Sequence, residues 1–248
     1  MIFNTKIIKY ENCKVFFESR KQYENCIFNM LKAKRIVKIK KDLYALINPL
    51  TNNIYANKYE IASLISDSSY VSYHSALEYY GLTNQVFTNI TVSSLSRFRD
   101  FDFDGINYSL KITNDDFMVN QENEIRITSL EKTIIDCIDR IDLAGGIEEL
   151  LEALDLLEYV DEDELIKALI HYGKKILFRK TGYLLSFYKD ELSLSNKLFD
   201  LCAKYVNGNK FYFLEDEYYD LKIDKKWNLF VPNNLFSLKD GGLVDELY

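Results

Sequence analysis

The sequence predicts an α+β protein with a small amino-terminal domain, residues 1–66, and a larger mixed α/β domain, residues 67–248, whose carboxy-terminal half is helical. Three patterns support this fold class. An amphipathic helix followed by a short alternating hairpin occurs in the first fifty residues, and a second hairpin pattern occurs near residue 100. From Thr128 onward, apolar residues recur mainly at helical spacing.

The composition indicates an ordered globular chain. Hydrophobic residues make up 48% of the 248 residues and aromatic residues 15%, while proline occurs only at Pro49 and Pro232. No apolar run approaches the roughly 20 residues that a membrane helix needs, and the amino terminus lacks the apolar core of a signal peptide. These features predict a cytoplasmic protein with no membrane contact.

The cysteines and histidines do not suggest a metal or redox centre. Cys13, Cys26, Cys137 and Cys202 are widely scattered and form no CxxC pair, which is typical of small buried residues in a reducing compartment. Neither of the two histidines lies near a cysteine in sequence, and glycine-rich phosphate loops and nucleophile elbows are absent. We therefore expect no metal and no cofactor.

The charge is distributed unevenly along the chain, whose net value is −7. Residues 1–50 contain eleven Lys and Arg against four acids, whereas residues 114–164 contain three against seventeen. A basic head on an acidic body is typical of a nucleic-acid-binding module joined to a domain of different function. The alternatives are that both are ordinary solvated faces, or that the acidic helices meet a basic partner.

The first predicted element of the basic head is an amphipathic helix. Ser19 is its predicted cap, and the helix runs to about Lys34. Its buried stripe is formed by residues at spacings of four and three. These are Tyr23, Ile27, Met30 and Leu31.

A basic hairpin follows this helix. Val37 and Ile39 alternate with Lys38 and Lys40, and Lys41–Asp42 turns the chain into a second strand ending at Ile47. A helix followed by a basic hairpin is how a winged helix-turn-helix ends; in that geometry the helix enters the major groove and the hairpin follows the backbone.

The head therefore has a set of candidate DNA-binding residues. Lysines of the hairpin would neutralise phosphates, while Arg20, Gln22 and Tyr23 at the helix start would reach base edges. The full set is Lys14, Ser19, Arg20, Lys21, Gln22, Tyr23, Lys32, Lys34, Arg35, Lys38, Lys40 and Lys41. Because only about one good helix fits between Val15 and Ile36, either the first helix of the module is very short or the module is abridged. The alternative is a basic helical hairpin that only packs on the body.

The body begins with features that imitate catalytic or metal sites. A short helix over 72–81, capped by Ser72, is predicted to carry a surface pair of His74 and Glu78. In "RFRDFDFDGINYSLK", three alternating aspartates resemble half of an EF-hand loop, but the twelfth position is Lys111 instead of a bidentate Glu. The "DG" pair and the alternation predict a hairpin with the aspartates on its solvated face and Phe101 and Phe103 on its buried face.

The second half is predicted to be helical. "TSLE" indicates a capping box of Thr128 and Glu131, Gly145–Gly146 ends that helix, and Asp161 with Glu164 begins a third. Two more helices are predicted over Lys174–Lys189 and Leu192–Tyr205, and the apolar runs "KFYFL" and "WNLFV" indicate a small sheet. A second basic cluster consists of Lys174, Lys175, Arg179 and Lys180. We expect it mainly to pair with the acidic helices; the alternatives are that it extends a DNA path or contacts RNA.

Several segments in order resemble one known family. "VKIKKDLYALINP", "SYVSYHSALEYYGLTNQVF" and "ITSLEKTIIDCIDRIDLAGGIEELLEAL" are similar to the AbiEi-type antitoxins, described as transcriptional regulators of viral defence systems, over about Lys38–Phe187. The chain differs from that pattern in its short helical head and in Asp42, which occupies the turn where relatives usually carry Gly.

The resemblance implies a repressor that binds inverted repeats of its own promoter through a winged helix and self-associates there. Its larger domain would oppose a nucleotidyltransferase toxin of a type IV toxin–antitoxin, abortive-infection operon in phage defence, without a stable complex, and the protein would not be an enzyme. One alternative is an antitoxin or protein-binding domain whose head has lost sequence-specific DNA binding. The other, least favoured, is a metal-dependent nucleotidyltransferase using Asp100 and Asp102.

Overall fold

A computed structural model describes residues 5–214 and 220–240 of the chain. The fold class is α+β, as predicted, with helices and three sheets. The chain forms two compact units, which we describe separately. The first contains the residues up to Val71 together with Thr88–Ile127, and the second contains Ser72–Phe87 and the chain from Thr128 onward.

The elements follow one another along the chain in mixed order. Up to residue 94 they are β1 (Ile7–Lys9), α1 (Tyr10–Cys13), a 3₁₀ turn (Lys14–Phe16), α2 (Arg20–Lys32), β2 (Ile36–Lys40), β3 (Leu43–Leu46), α3 (Lys58–Leu64), β4 (Tyr70–Val71), α4 (His74–Tyr79) and β5 (Asn89–Ser94). The next strands are β6 (Phe101–Phe103), β7 (Ile106–Ile112), β8 (Val119–Glu122) and β9 (Ile125–Thr128). The rest are α5 (Leu130–Asp139), a 3₁₀ turn (Ile141–Ala144), α6 (Ile147–Asp155), α7 (Glu162–Tyr172), α8 (Lys175–Leu185), α9 (Asn196–Ala203), β10 (Phe211–Tyr212), β11 (Leu221–Asp224), β12 (Leu229–Pro232) and a 3₁₀ helix (Leu235–Asp240).

The first unit contains two sheets. A three-stranded sheet has the order β1-β3-β2 and is antiparallel throughout, and a six-stranded mixed sheet has the order β6-β7-β5-β4-β9-β8. The predicted helix after Ser19 is confirmed as α2, and the Ser19 hydroxyl accepts the amide N–H of Gln22 at 3.2 Å. The small core beneath α2 contains Ile8, Cys13, Tyr23, Ile27 and Ile36.

The aspartate-rich segment is a hairpin, as predicted. β6 pairs antiparallel with β7, and Asp104 and Gly105 both take positive φ, at 54° and 75°, as a tight two-residue turn requires. Asp100 and Asp102 are exposed, and each accepts a hydrogen bond from β7. Phe101 and Phe103 are half-buried instead of fully buried.

The second unit is built on α5, which packs against α4, α7 and α8. The predicted small sheet is confirmed: β12 lies between β10, its parallel neighbour, and β11, its antiparallel neighbour. Asp161 caps α7, as predicted. The backbone N–H of Asp161 donates to the Glu131 carboxylate of α5 and not to that of Glu164, so the two predicted partners do not form a capping box. The fourth and fifth predicted helices are shorter than expected, ending at Leu185 and beginning at Asn196.

Two predicted helix starts were wrong. The cap of α5 is Ser129, whose hydroxyl accepts from the N–H of Lys132, while the Thr128 hydroxyl bonds to Thr133 inside the core. α4 begins at His74 after Tyr73, which has a φ of 53°, so Ser72 is not its cap. In both cases the residue assigned as the cap is fully buried, where long-range packing decides its role.

Candidate nucleic-acid interface

One face of α2 is free of the core and carries polar and basic side chains. Lys21, Asn25, Phe28 and Lys32 follow one another at spacings of four, three and four, which brings them onto one stripe of a helix. All four are exposed, and Phe28 keeps 65% of its surface in solvent despite being aromatic. The stripe lies opposite the buried Tyr23 and is about 16 Å long at 1.5 Å per residue.

The hairpin lies beside the start of this helix because Arg20 bridges the two. Its Nη2 lies 3.0 Å from Oδ2 of Asp42 in the hairpin turn, and its Nε donates to Glu24 at 3.1 Å. The guanidinium also lies 4.7 Å from the ring centroid of Tyr10. Asp42 takes a φ of 59°, which aspartate tolerates better than most residues. The hairpin turn at Asp42 and the first turn of α2 therefore lie at the same end of the basic head.

Six of the predicted basic residues form the positive part of this surface. They are Lys21, Lys32, Lys34, Arg35, Lys38 and Lys41. All six are exposed, and none has an ion-pair partner within residues 5–214 and 220–240. We call them the cation set. They lie at both ends of α2, on β2 and at the hairpin turn, so their charge is carried by the two elements that the Arg20 bridge joins.

Other predicted contact residues are engaged within the protein. Tyr23 is a correction: it is 1% exposed and meets the rings of Tyr10 and Phe17 edge-on, so its side chain cannot reach a base edge from this position. Arg20 is held by two carboxylates, and Lys14 pairs with Glu11 at 2.7 Å.

The remaining polar candidates at the helix start act partly as caps. The side-chain oxygen of Gln22 accepts a hydrogen bond from the backbone N–H of Glu18 at 2.7 Å. This bond fixes the orientation of the Gln22 amide group. The hydroxyl of Ser19 is occupied by the amide of Gln22. Both residues are exposed, but their acceptor groups serve the helix terminus.

Lys40 also differs from the expectation. A register shift between Lys38 and Lys40 breaks the strict alternation of β2, and Lys40 is half-buried. Its ammonium lies 5.0 Å from the ring centroid of Phe98 and 5.6 Å from that of Phe101, and burial lowers its pKa. This lysine packs on aromatic rings of the first unit instead of pointing freely into solvent.

Sequence reasoning missed Asn25 and Phe28 on the exposed stripe. The signal was present, because once Tyr23 and Ile27 are assigned to the core, positions 25 and 28 must face away from it. An exposed Asn and Phe were not singled out, since single exposed residues of either type are common.

The second predicted basic cluster does not form. Arg179 is fully buried and donates to the carbonyls of Tyr205, Asn207 and Asn209 at 2.6–2.8 Å, holding that loop in place. Lys180 is 7% exposed, while Lys174 pairs with an aspartate at the end of α5. Lys175 is exposed, and the pair made by Lys174 agrees with the expectation that this cluster would meet the acidic helices.

The predicted surface position of His74 is also wrong. His74 is 6% exposed, and its Nε2 lies 3.6 Å from Oε2 of Glu149, with the ring of Phe87 against it. Burial raises the pKa of Glu149. Across the described part of the chain, no three His, Cys, Asp or Glu side chains are grouped to hold a metal ion.

Comparison with known proteins gives a structural likeness. No model of a known protein family matches this chain, and no curated protein does. The crystal structure of the Rv2827c protein from Mycobacterium tuberculosis is similar, with a TM-score of 0.63 and 12% identity over 92% of this chain and 86% of that one. At this identity the likeness concerns the fold alone. Within the described residues, no helix is both long and apolar enough to span a membrane.

Proposed function

We propose that residues 5–47 form an abridged winged helix-turn-helix that binds duplex DNA. The order of elements supports this: a strand, a short helical stretch, α2 and a hairpin, with β1 pairing on β3 so that the sheet order is β1-β3-β2. α1 and the 3₁₀ turn occupy the place of the longer helix that precedes a recognition helix. α2 enters the major groove and the β2–β3 hairpin follows the phosphate backbone.

The observation that carries the proposal is the cation set on two elements joined by one bridge. Six exposed basic side chains without carboxylate partners in the described residues give these two elements a positive surface that suits a polyanion such as DNA. The Arg20–Asp42 contact fixes the hairpin turn beside the start of α2, so Lys21 and Lys41 act on the same stretch of backbone.

The exposed stripe of α2 supplies base contacts. An Asn side chain suits the N6 and N7 edge of adenine, and an apolar ring suits the methyl group of thymine. Asn25 and Phe28 therefore favour an A·T-containing half-site, while Lys21 and Lys32 at the two ends of the stripe contact phosphates or guanine.

In the cell the whole protein acts as a repressor and antitoxin of the AbiEi type, and this head is its DNA-binding part. The resemblance of about Lys38–Phe187 to that family supports a role in the cytoplasm as a regulator that binds inverted repeats of its own promoter and self-associates on them. The second unit opposes a nucleotidyltransferase toxin from the same operon without forming a stable complex with it. The protein performs no catalysis of its own.

The test is binding of a duplex carrying the protein's own promoter, measured by fluorescence anisotropy over a range of salt concentrations. Replacing Lys38 and Lys41 with Ala removes two phosphate contacts, so the slope of log K against log salt should become shallower by about 1.8. The matched control replaces Lys204 and Lys225, two exposed lysines of the second unit, and should leave the slope unchanged.

Two outcomes would contradict the proposal. If the wild-type protein does not bind the promoter duplex at low salt, the head has no DNA-binding role and only the antitoxin role of the body remains. If both double variants change the slope equally, the binding is a general effect of net charge and not a property of the hairpin.

A further inference from the structure

The segment next to the hairpin is arranged to continue its basic surface. Lys40 of β2 lies over the rings of Phe98 and Phe101, at 5.0 and 5.6 Å from their centroids. Cation–π contacts of this length, made by a half-buried lysine, hold the edge of the hairpin against residues 97–101 within the first unit. What these residues expose therefore lies beside the hairpin.

Arg97 and Arg99 are the residues on either side of Phe98. Both are exposed, and neither has an ion-pair partner in the described chain. Phe98 between them is half-buried and contacts Lys40, whereas both arginine side chains reach solvent.

The acids of this segment keep their charge, but in the described part of the chain they form no ion pair with Arg97 or Arg99 and are directed at the neighbouring strand instead. Asp100 accepts the N–H of Leu110 at 2.9 Å, and Asp102 accepts the side-chain amide of Asn107 at 3.0 Å. Both carboxylates are thus directed at β7, the neighbouring strand of their own hairpin. Lys40 contributes its charge to the same region but is held on the two rings, so the arginines are the freely extended cations there.

We propose that Arg97 and Arg99 form a second contact with the DNA backbone, continuing the track of phosphates that begins at the hairpin turn. This inference rests on the proposed DNA binding by the head. A guanidinium presents a planar set of donors that fits two phosphate oxygens, which makes arginine well suited to this role. The contact adds affinity and no sequence information, because it is made to the backbone.

The experiment compares three double variants on the same duplex by fluorescence anisotropy. Replacing Arg97 and Arg99 with Ala should make the salt slope shallower by about 1.8, as two phosphate contacts are lost. The affinity advantage of the wild type over this variant should then shrink about 12-fold between roughly 50 and 200 mM salt. The same change is expected on a scrambled duplex of equal length.

The controls separate this proposal from the one on which it rests. The Lys38 and Lys41 double variant reports on the hairpin, and the Lys204 and Lys225 variant reports on net charge alone. If the salt slope becomes shallower in the Lys38 and Lys41 variant but stays at the wild-type value in the Arg97 and Arg99 variant, the proposed second contact is wrong and DNA binding by the head still holds. If the wild type fails to bind any duplex, both proposals are wrong.

Two further results complete the test. The exposed arginines can be replaced without disturbing the core, so the far-ultraviolet circular dichroism and melting temperature of the variant should match those of the wild type. If the variant instead loses affinity for a single-stranded RNA and keeps full affinity for duplex DNA, the two arginines serve another nucleic acid and the proposal is overturned.

Discussion

Replacing Gly182 with alanine should destabilise the second unit through one contact. A Cβ at this position would lie 2.3, 2.5 and 2.8 Å from Cζ3, Cη2 and Cε3 of Trp227. Carbon atoms pack at about 3.5–4.0 Å, so the indole ring would have to move by more than about 1 Å. It has no room to do so, because Trp227 is 1% exposed and its backbone N–H is bonded to Asp224 at 2.8 Å.

The magnitude follows from two opposing effects. Overpacking a filled core costs about 1–3 kcal/mol, and these short distances put the cost near the upper end. Alanine in place of glycine within a helix such as α8 returns about 1 kcal/mol. The net loss in the free energy of unfolding is therefore about 2 kcal/mol, or about 4–8 °C in melting temperature for a protein of this size.

The assay is thermal and urea unfolding followed by far-ultraviolet circular dichroism. Trp227 is the only tryptophan in the chain, so its fluorescence reports locally on the same packing. Repeating the Gly182→Ala change in a Trp227→Phe background removes the outer ring carbons that the Cβ would strike. There the penalty should fall to near zero or reverse. An equal penalty in both backgrounds would falsify the reasoning, because the loss would then not come from this contact.

Two other predictions concern charges. Burial raises the pKa of Glu149 above its ordinary 4.5, so ionisation of this carboxyl opposes folding at neutral pH. Glu149→Gln should therefore raise the free energy of unfolding at pH 7. This gain should disappear as the pH falls below 4.5, because the carboxyl is then protonated in both the folded and the unfolded chain. Urea unfolding at both pH values, with the exposed Glu158→Gln as control, tests this, and a pH-independent gain would contradict it. Asp42→Asn keeps a residue that tolerates a φ of 59° but removes the carboxylate through which Arg20 holds the hairpin turn beside α2, so duplex affinity should fall in the anisotropy assay although a negative charge is lost. An unchanged or higher affinity would mean that the bridge does not position the hairpin for DNA.

Local patterns identified most of the elements correctly. Ser19 followed by an apolar stripe at helical spacing predicted α2, and alternation with a "DG" turn predicted the hairpin of Asp104 and Gly105. Asp161 was also identified correctly as a cap. These features depend on residues a few positions apart, and the backbone geometry of a turn or a cap is decided at that range.

Predictions from local patterns were wrong about which polar side chains are exposed to solvent. His74 was assigned to the surface with a neighbour on its own helix, yet it lies against Glu149 and Phe87. Arg179 resembles Lys175 in sequence, but its guanidinium is buried among carbonyls 26–30 residues away. A spacing pattern gives the face of an element on which a residue lies, but not the distant segment that covers that face.

The sequence by itself determined the fold class, the positions of α2 and the β2–β3 hairpin, and the excess of positive charge on them. Only the tertiary structure decided which of those charges remain available. It buried Tyr23, held Lys40 on two rings, tied Arg20 to the hairpin turn and brought the loop of Arg97 and Arg99 beside the hairpin. The reason is that helix and strand formation depend on neighbours in sequence, whereas burial and charge pairing depend on contacts between segments that are far apart along the chain.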